Sequence, residues 1–242
     1  MKKALTVAIL ATAGIAASAN ANLIAYWNFN NSTPNTTSGQ LGVLNSVTAN
    51  AGLNGASATI SLGGGLTFNT VSAGTANGAV GTFAGDAGVI NGQPGEVQGG
   101  ALSIQGRIGG SGSQTANTNG GTVTFNINTA GYSGITMAWS GRGTGSGFSN
   151  NKIETSVDGV TWVTQVASYS STASSFSLFS YSLNSAADNA ANLRVRITFN
   201  GATTGAGNNR LDNVSFTAAI PTPGSLALVG VAGLVAARRR RA

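Results

Sequence analysis

Hydrophobic and polar residues alternate in short runs along most of the chain between residues 23 and 217. Residues 193–199 are the clearest case, because Leu, Val, Ile and Phe occupy the odd positions and Arg, Arg and Thr the even ones. An alternation of period two predicts a strand with one face buried and the other in water. The runs predicted as strands are 23–29, 66–71, 101–108, 122–128, 135–140, 152–157, 161–169, 176–183, 193–200 and 210–217.

So many strands in one domain imply two packed sheets, and the predicted fold is an all-β, two-sheet antiparallel β-sandwich. Helical periodicity is missing over any useful length. Segment 184–192 is rich in Ala and begins with Asn and Ser, which predicts one or two helical turns. The Gly-rich segment 74–100 predicts long loops or weak edge strands.

One hairpin is predicted with particular force in the second half of the chain. Asp158-Gly159 lies between two strand-like runs, which is the strongest short signal for a β-hairpin. Trp162 follows three residues later, with Val157 and Val160 close by. We expect Trp162 to pack inward with these valines, in preference to facing a ligand, because aromatic and aliphatic side chains fill β cores together.

The composition agrees with short strands joined by loops. Gly, Thr, Ser and Asn make up about half of the 242 residues, and these residue types favour turns over helices. A hydrophobic fraction of 41%, with 9 Phe, 4 Tyr and 3 Trp, argues against a disordered chain. The length suits one β domain.

Two missing residue types exclude much of the common enzyme chemistry. The chain has no His and no Cys, so Ser-His-Asp and Cys-His catalysis and Cys/His zinc sites are excluded. Carboxylate chemistry, oxygen-ligand metals or no chemistry at all remain. The acidic residues Asp86, Glu96, Glu154, Asp158, Asp188 and Asp212 show no convergence in sequence, so we predict no catalytic residue and no enzyme activity.

Residues 1–21 have the plan of a secretory signal peptide. Lys2 and Lys3 precede a mostly apolar run from residue 4 to 17, and small residues follow. Cleavage is expected after Ala21, with Ala19 marking a second possible site two residues earlier. A domain of residues 22–219 would follow.

Residues 220–242 have three parts: a proline pair, an apolar run over 226–237, and an arginine cluster. Twelve apolar residues in a helix span about 18 Å, short of the hydrocarbon core of about 30 Å, so a simple membrane anchor is the weaker alternative. The four arginines are expected to stay cytoplasmic, as the flank of a membrane segment and not as a nucleic-acid patch. They are Arg238, Arg239, Arg240 and Arg241.

This tail resembles the PEP-CTERM sorting signal of exported bacterial proteins. The matching residues are Pro221, Thr222 and Pro223, with Thr in the middle position where the family has Glu. The resemblance implies recognition by the export machinery and cleavage by a membrane protease, exosortase. It also implies delivery to the envelope, the cell surface or an extracellular matrix, with membrane contact through the tail before processing.

The body resembles jelly-roll β-sandwich domains similar to galactose-binding-like and carbohydrate-binding modules. The residues that carry the resemblance are the opening strand LIAYWNFN, the run WSGRGTGSGFSNNKIETSVDGVTW and the closing strand GNNRLDNVSFTA. It implies that the closing strand pairs beside the first strand, and that its Asp, here Asp212, often holds a structural calcium. From burial alone, Ca²⁺, Arg210 or backbone amides could be the partner of Asp212, and the lack of a D-x-D-x-D pattern favours an ion pair or a turn-capping role over the metal. No other cofactor is expected.

A ligand-contacting site is predicted around the loop 142–148, where a Gly-rich segment leaves a strand. A loop of this kind can hydrogen-bond to sugars and stack on their rings, while the alternative is a plain connecting loop. The predicted site residues are Trp139, Arg142, Thr144 and Phe148.

The sequence therefore predicts an exported, non-catalytic surface or extracellular-matrix protein that contacts polysaccharide and no nucleic acid. The alternatives are a carbohydrate-binding module of defined glycan specificity and a carboxylate-based glycan-active enzyme. The net charge of +6 comes from the termini, so the body between them is neutral, which suits a hydrated polysaccharide better than a polyanion.

Overall fold

The structure, a computed structural model, describes residues 21–30, 41–71, 76–86, 90–109 and 115–219. Residues 1–20 and the tail 220–242 lie outside these ranges, and so do the structural expectations for the signal peptide and for the apolar helix. Within the described ranges, no helix has the length and apolar character needed to cross a membrane.

Eleven strands and two short 3₁₀ turns make up the described part. The turns are Gly55–Ser57 and Ser185–Ala187. The strands are β1 Asn22–Trp27, β2 Thr59–Gly63, β3 Val80–Ala84, β4 Gly100–Gln105, β5 Gly121–Ile127, β6 Ser133–Gly143, β7 Asn151–Ser156, β8 Val163–Tyr169, β9 Ser177–Ser182, β10 Leu193–Phe199 and β11 Asn208–Ala219.

The strands form two antiparallel sheets, which confirms the predicted β-sandwich. The six-stranded sheet has the order β3-β4-β11-β6-β9, with β1 also paired to β11, and the five-stranded sheet has the order β2-β5-β10-β7-β8. Taken from β4 to β11, the chain alternates between the sheets except at the β7–β8 hairpin, and the strand order is that of a jelly roll. The closing strand β11 pairs with β1 through Asn22–Trp27, as the resemblance implied.

The core lies between the inner faces of the two sheets. Trp27 of β1 packs edge-on against Phe125 of β5 at 5.2 Å and against Phe216 of β11 at 6.1 Å between ring centroids. Phe125 and Phe216 are 5.6 Å apart. This aromatic cluster joins the opening strand, the closing strand and the opposite sheet, so it stabilises the sandwich across its centre.

One strand was missed, and one predicted strand is absent from the described residues. Segment 66–71 forms only an isolated parallel bridge, Phe68 to Val80, beside the edge strand β3. The missed strand β2 is short and carries Ser and Gly, which depress strand signals. The edge strand expected within 74–100 is β3, and the helical turn expected within 184–192 is the 3₁₀ turn Ser185–Ala187.

The hairpin between β7 and β8 is confirmed, but the inward orientation of Trp162 is wrong. Asp158 closes the turn: its carboxylate accepts N–H hydrogen bonds from Val160 and Thr161, both at 2.8 Å. Val160 is 82% exposed and Val157 48% exposed. The turn therefore projects beyond the core, and Trp162 lies half-buried on the outer surface of the five-stranded sheet.

Candidate functional site

The outer face of the five-stranded sheet is polar across its full width. Val123, Phe125 and Ile197 are among the residues that point into the core, so their neighbours in the strands point outward. Strand register places these outward residues in rows across the strands. One row is Ser61, Thr124, Arg196, Glu154 and Thr164; a second is Thr59, Asn126, Arg194 and Ser156; a third is Thr122, Thr198 and Lys152.

Trp162 is fixed on this face by a chain of charged contacts. The Arg196 guanidinium carbon lies 3.8 Å from the centroid of the Trp162 ring, a close cation–π contact. Arg196 Nε also donates to Glu154 Oε2 at 2.8 Å, and Lys152 Nζ lies 2.9 Å from Glu154 Oε1. Burial opposes ionisation of Glu154, but the hydrogen bonds from Arg196 and Lys152 outweigh it and lower its pKa. The indole ring is therefore held in one place by an ionised network.

A polar cavity of about 370 Å³ lies at the end of β5 and the start of β10, on the same face. Ligand pockets of small molecules commonly have volumes of 300 Å³ or more. Arg194 links the cavity to the hairpin, because its guanidinium packs against Gly159 in the β7–β8 turn. The polar residues that line the cavity are Ser57, Asn126, Asn128, Asn192 and Arg194.

Two of the four residues predicted around loop 142–148 lie in the core, which corrects their assignment as ligand contacts. Trp139 is 1% exposed and stacks on Phe179 at 5.2 Å between ring centroids. Phe148 is 0% exposed and packs edge-on against Phe199 at 5.5 Å. Both side chains fill the space between the sheets and leave no ring face for a ligand.

The other two predicted residues, Thr144 and Arg142, contact different parts of the molecule. Thr144 Oγ1 accepts a hydrogen bond from the Asn208 amide at 2.9 Å, which ties the turn to β11. The half-buried Arg142 lies at the end of β6, with its guanidinium carbon 5.7 Å from the Phe176 ring centroid. The structure thus does not bring the four residues into one site.

Asp212 takes backbone amides as its partners. Its Oδ2 accepts from the Asp86 amide at 2.7 Å, and its Oδ1 accepts from the Asn213 amide at 2.8 Å. Asp212 is only 2% exposed. Burial raises its pKa to about 7. The two amide hydrogen bonds lower the pKa but do not outweigh burial, and the nearby charges of Asp86 and Glu96 raise it by smaller amounts.

The calcium predicted at Asp212 stays a prediction. Asp86 is the nearest second carboxylate, and Ser140 Oγ donates to its Oδ2 at 2.9 Å. Hard cations prefer several oxygen ligands, and among the described residues no group of three or more acidic side chains could hold a metal ion. A cation here would need backbone or hydroxyl oxygens in addition to the two carboxylates.

The sequence missed the outer face of the five-stranded sheet as a site, although it contained half of the signal. The alternation in 193–199 and 122–128 identified Arg194, Arg196 and Thr124 as solvent-facing positions. The contacts of Arg196 with Glu154 and Trp162 could not be predicted, because these residues are far apart in sequence and meet only through the pairing of β7 with β10.

No protein-family model matches the chain, and no curated protein matches it. Among solved structures, the chain is similar to the CBM22-1 xylan-binding domain of Xyn10C from Paenibacillus barcinonensis. That match has 10% identity and a TM-score of 0.45, and it covers 84% of this chain and 98% of that one. A second similar structure is the K3 cleaved adhesin domain of Lys-gingipain from Porphyromonas gingivalis, with 12% identity, a TM-score of 0.42, and coverage of 82% and 99%. Similarities of this size say nothing about what this chain binds.

Proposed function

We propose that this chain is an exported, non-catalytic β-sandwich module that contacts polysaccharide through the outer face of its five-stranded sheet. One observation carries the proposal: Trp162 is fixed on a sheet face that is otherwise made of Thr, Ser, Asn and charged side chains. The cavity of about 370 Å³ lies on the same face.

The chemistry of this face fits a sugar chain. A pyranose ring presents apolar C–H groups on its faces and hydroxyls around its edge, so it needs an aromatic surface beside hydrogen-bonding groups. Trp162 supplies the aromatic surface, while Asn126, Thr124 and Arg194 supply donors and acceptors in adjacent rows. Because the ionised Glu154 and Arg196 hold the indole in place, little ordering is needed on binding.

The non-catalytic part of the proposal is supported by the state of the carboxylates. Glu154 is paired with Lys152 and Arg196, and Asp158 closes a turn. Glycoside hydrolysis needs two carboxyl groups facing one substrate. Asp86 and Asp212 are neighbours, which favours a carboxylate-based enzyme as the second candidate. However, both oxygens of Asp212 already accept backbone amides.

The export part of the proposal is supported by the two ends of the sequence. A signal-peptide plan precedes the sandwich, and a Pro-Thr-Pro segment with an apolar run and four arginines follows it. The module would then reach the cell surface or an extracellular matrix, where polysaccharide is the expected partner.

The binding proposal is tested by calorimetric titration of the full chain with a panel of neutral polysaccharide oligomers. We expect saturable binding of at least one neutral glycan, weakened about tenfold or more in Trp162→Ala, because loss of an aromatic anchor typically costs about 2 kcal/mol or more. Val160→Ala is the matched control, since Val160 lies in the same hairpin and its side chain is 82% exposed.

Two outcomes would contradict the proposal. Equal binding by Trp162→Ala would remove the sheet face as the site, and no saturable binding to any neutral glycan would leave an inert matrix protein. Turnover of any oligomer by the purified chain would overturn the non-catalytic assignment, and Asp212→Asn would then identify the Asp86–Asp212 pair as the cause.

A further inference from the structure

Three buried polar atoms without a hydrogen-bond partner lie side by side on the outer face of the six-stranded sheet. They are Ser103 Oγ, Arg210 Nε and Arg142 Nε. Strand register pairs Arg210 of β11 with Ser103 of β4 on one side and with Arg142 of β6 on the other. We call these three residues the arginine row. Their strand neighbours Leu102 and Leu211 belong to the core, so the row faces away from it.

The two guanidinium groups of the row have no ion pair with any described residue. Both ion pairs of the described chain belong to Glu154, on the opposite sheet. Arg210 is 9% exposed, and its guanidinium carbon lies 3.9 Å from the Phe83 ring centroid. Arg142 is half-buried beside Phe176. Burial, together with the charge of Arg142, lowers the pKa of Arg210 to about 10.

Among the described residues, the nearby carboxylates do not form ion pairs with the arginine row. Asp212, two residues along β11 on the same face, is held by the Asp86 and Asn213 amides. Asp86 accepts from Ser140 Oγ. A buried polar group usually has a partner, and a buried cation usually has a counter-charge. Two arginines on neighbouring strands and a serine hydroxyl, each with an unsatisfied buried atom, therefore mark a place for an anion.

We infer that the arginine row binds the carboxylate of an acidic sugar. Arg210 Nη1 donates to the Ala84 carbonyl at 3.2 Å, which leaves the edge formed by Nε and Nη2 without a partner among the described residues. That edge of a guanidinium matches a planar carboxylate with two parallel hydrogen bonds. The half-buried Arg142 lies where a ligand would enter from solvent, and the Ser103 hydroxyl supplies a further donor.

The inference rests on the proposed function only in taking polysaccharide as the ligand. The row and the Trp162 face lie on the outer faces of opposite sheets, so one site can fail while the other binds. Sulfate and phosphate groups share the oxyanion chemistry but are tetrahedral, whereas a uronate carboxylate is planar and matches the free edge of Arg210.

The test is calorimetric titration of the full chain with digalacturonate, its methyl ester, inorganic sulfate and inorganic phosphate. We expect saturable binding of digalacturonate that weakens with added salt, and none of the uncharged methyl ester. Arg142→Gln should weaken binding about tenfold or more, the equivalent of a charge-assisted hydrogen-bond pair. Arg142→Lys keeps the positive charge but not the several guanidinium donors, so it should recover only part of the affinity.

Ser103→Ala provides a second variant that keeps the fold. It removes a buried hydroxyl that has no partner, so the melting temperature should hold or rise while digalacturonate affinity falls. Equal affinity in Arg142→Gln, equal binding of the methyl ester, or binding of sulfate or phosphate alone would each overturn the inference. Loss of neutral-glycan binding in Trp162→Ala with digalacturonate binding retained would separate this result from the proposed function.

Discussion

At the scale of single residues, Asp212 is a carboxylic acid whose surroundings oppose its charge. It is almost fully buried beside Asp86, and its pKa is raised to about 7. Between about pH 4 and pH 7 the unfolded chain has released this proton while the folded chain keeps it. The stability contributed by this group is therefore complete below about pH 4 and is lost as the pH rises to about 7.

We expect this titration to appear as a difference between the natural chain and Asp212→Asn in buffer containing a chelator. The stability of the variant relative to the natural chain should rise by up to about 4 kcal/mol between pH 4 and pH 7. Denaturant unfolding at several pH values measures it. Because Glu154 has its pKa lowered, it gives the opposite trend in both chains and cancels in the comparison. Parallel pH profiles would contradict the prediction.

The predicted calcium is tested with the same two proteins. A divalent cation at Asp212 stabilises the ionised carboxylate, so Ca²⁺ should raise the Tm of the natural chain at pH 8 but not that of Asp212→Asn. A Tm that chelator leaves unchanged would eliminate the metal.

At the scale of elements, the β7–β8 hairpin positions the candidate face. Gly159 has φ of +78°, and a Cβ at this position would collide with the Arg194 guanidinium. We expect Gly159→Ala to lower stability by roughly 1–2 kcal/mol from the backbone alone, which corresponds to a Tm lower by several degrees. It should also displace Arg194 from the cavity. Thermal unfolding followed by circular dichroism measures the first effect.

Gly145→Ala is the matched control for this prediction. Its φ is not in the left-handed region, and a Cβ there meets nothing within 4 Å. Its stability should stay within about 0.5 kcal/mol of the natural chain. If both variants lost the same stability, the turn geometry of Gly159 would not be the cause.

The same hairpin shows what the sequence can and cannot predict about elements. Asp158-Gly159 located the turn because its chemistry is local. The direction of Trp162 depends on where the core ends, and Val157 and Val160 gave a misleading signal because they extend past the sandwich. Strand β2 was missed for a related reason: its pairing with β5 compensates for a weak local pattern.

At the scale of the whole molecule, the jelly roll brings together residues that are far apart in sequence. Ser103, Arg142 and Arg210 form one row only because β11 lies between β4 and β6. The alternation of hydrophobic and polar residues predicted two sheets and identified the solvent-facing residues. It did not predict which strands are neighbours. Both proposed sites depend on that order, so neither could be found from the sequence, whereas the pairing of β11 with β1 was implied by the family resemblance.

The charge of the whole chain leads to a prediction about its mature form. Of the 12 Lys and Arg residues, six lie at the two ends, and residues 22–220 carry six cations and six anions. Removal of the signal segment and of the arginine tail would convert a protein of pI about 10.3 into one close to neutral. A neutral chain is not held on polyanions by its overall charge, so its binding would depend on its sites.

Intact-mass analysis of the protein from the cell that makes it tests this directly. We expect a species without residues 1–21 and without Arg238 to Arg241, and we expect replacement of Pro221 and Pro223 by Ala to leave the tail in place. The proline variant separates processing by a sorting protease from trimming at random, since trimming would not depend on the proline pair. A product that still carries Arg241 would rule out processing and favour an anchor, because the four arginines would then hold the tail at the cytoplasmic side of the membrane.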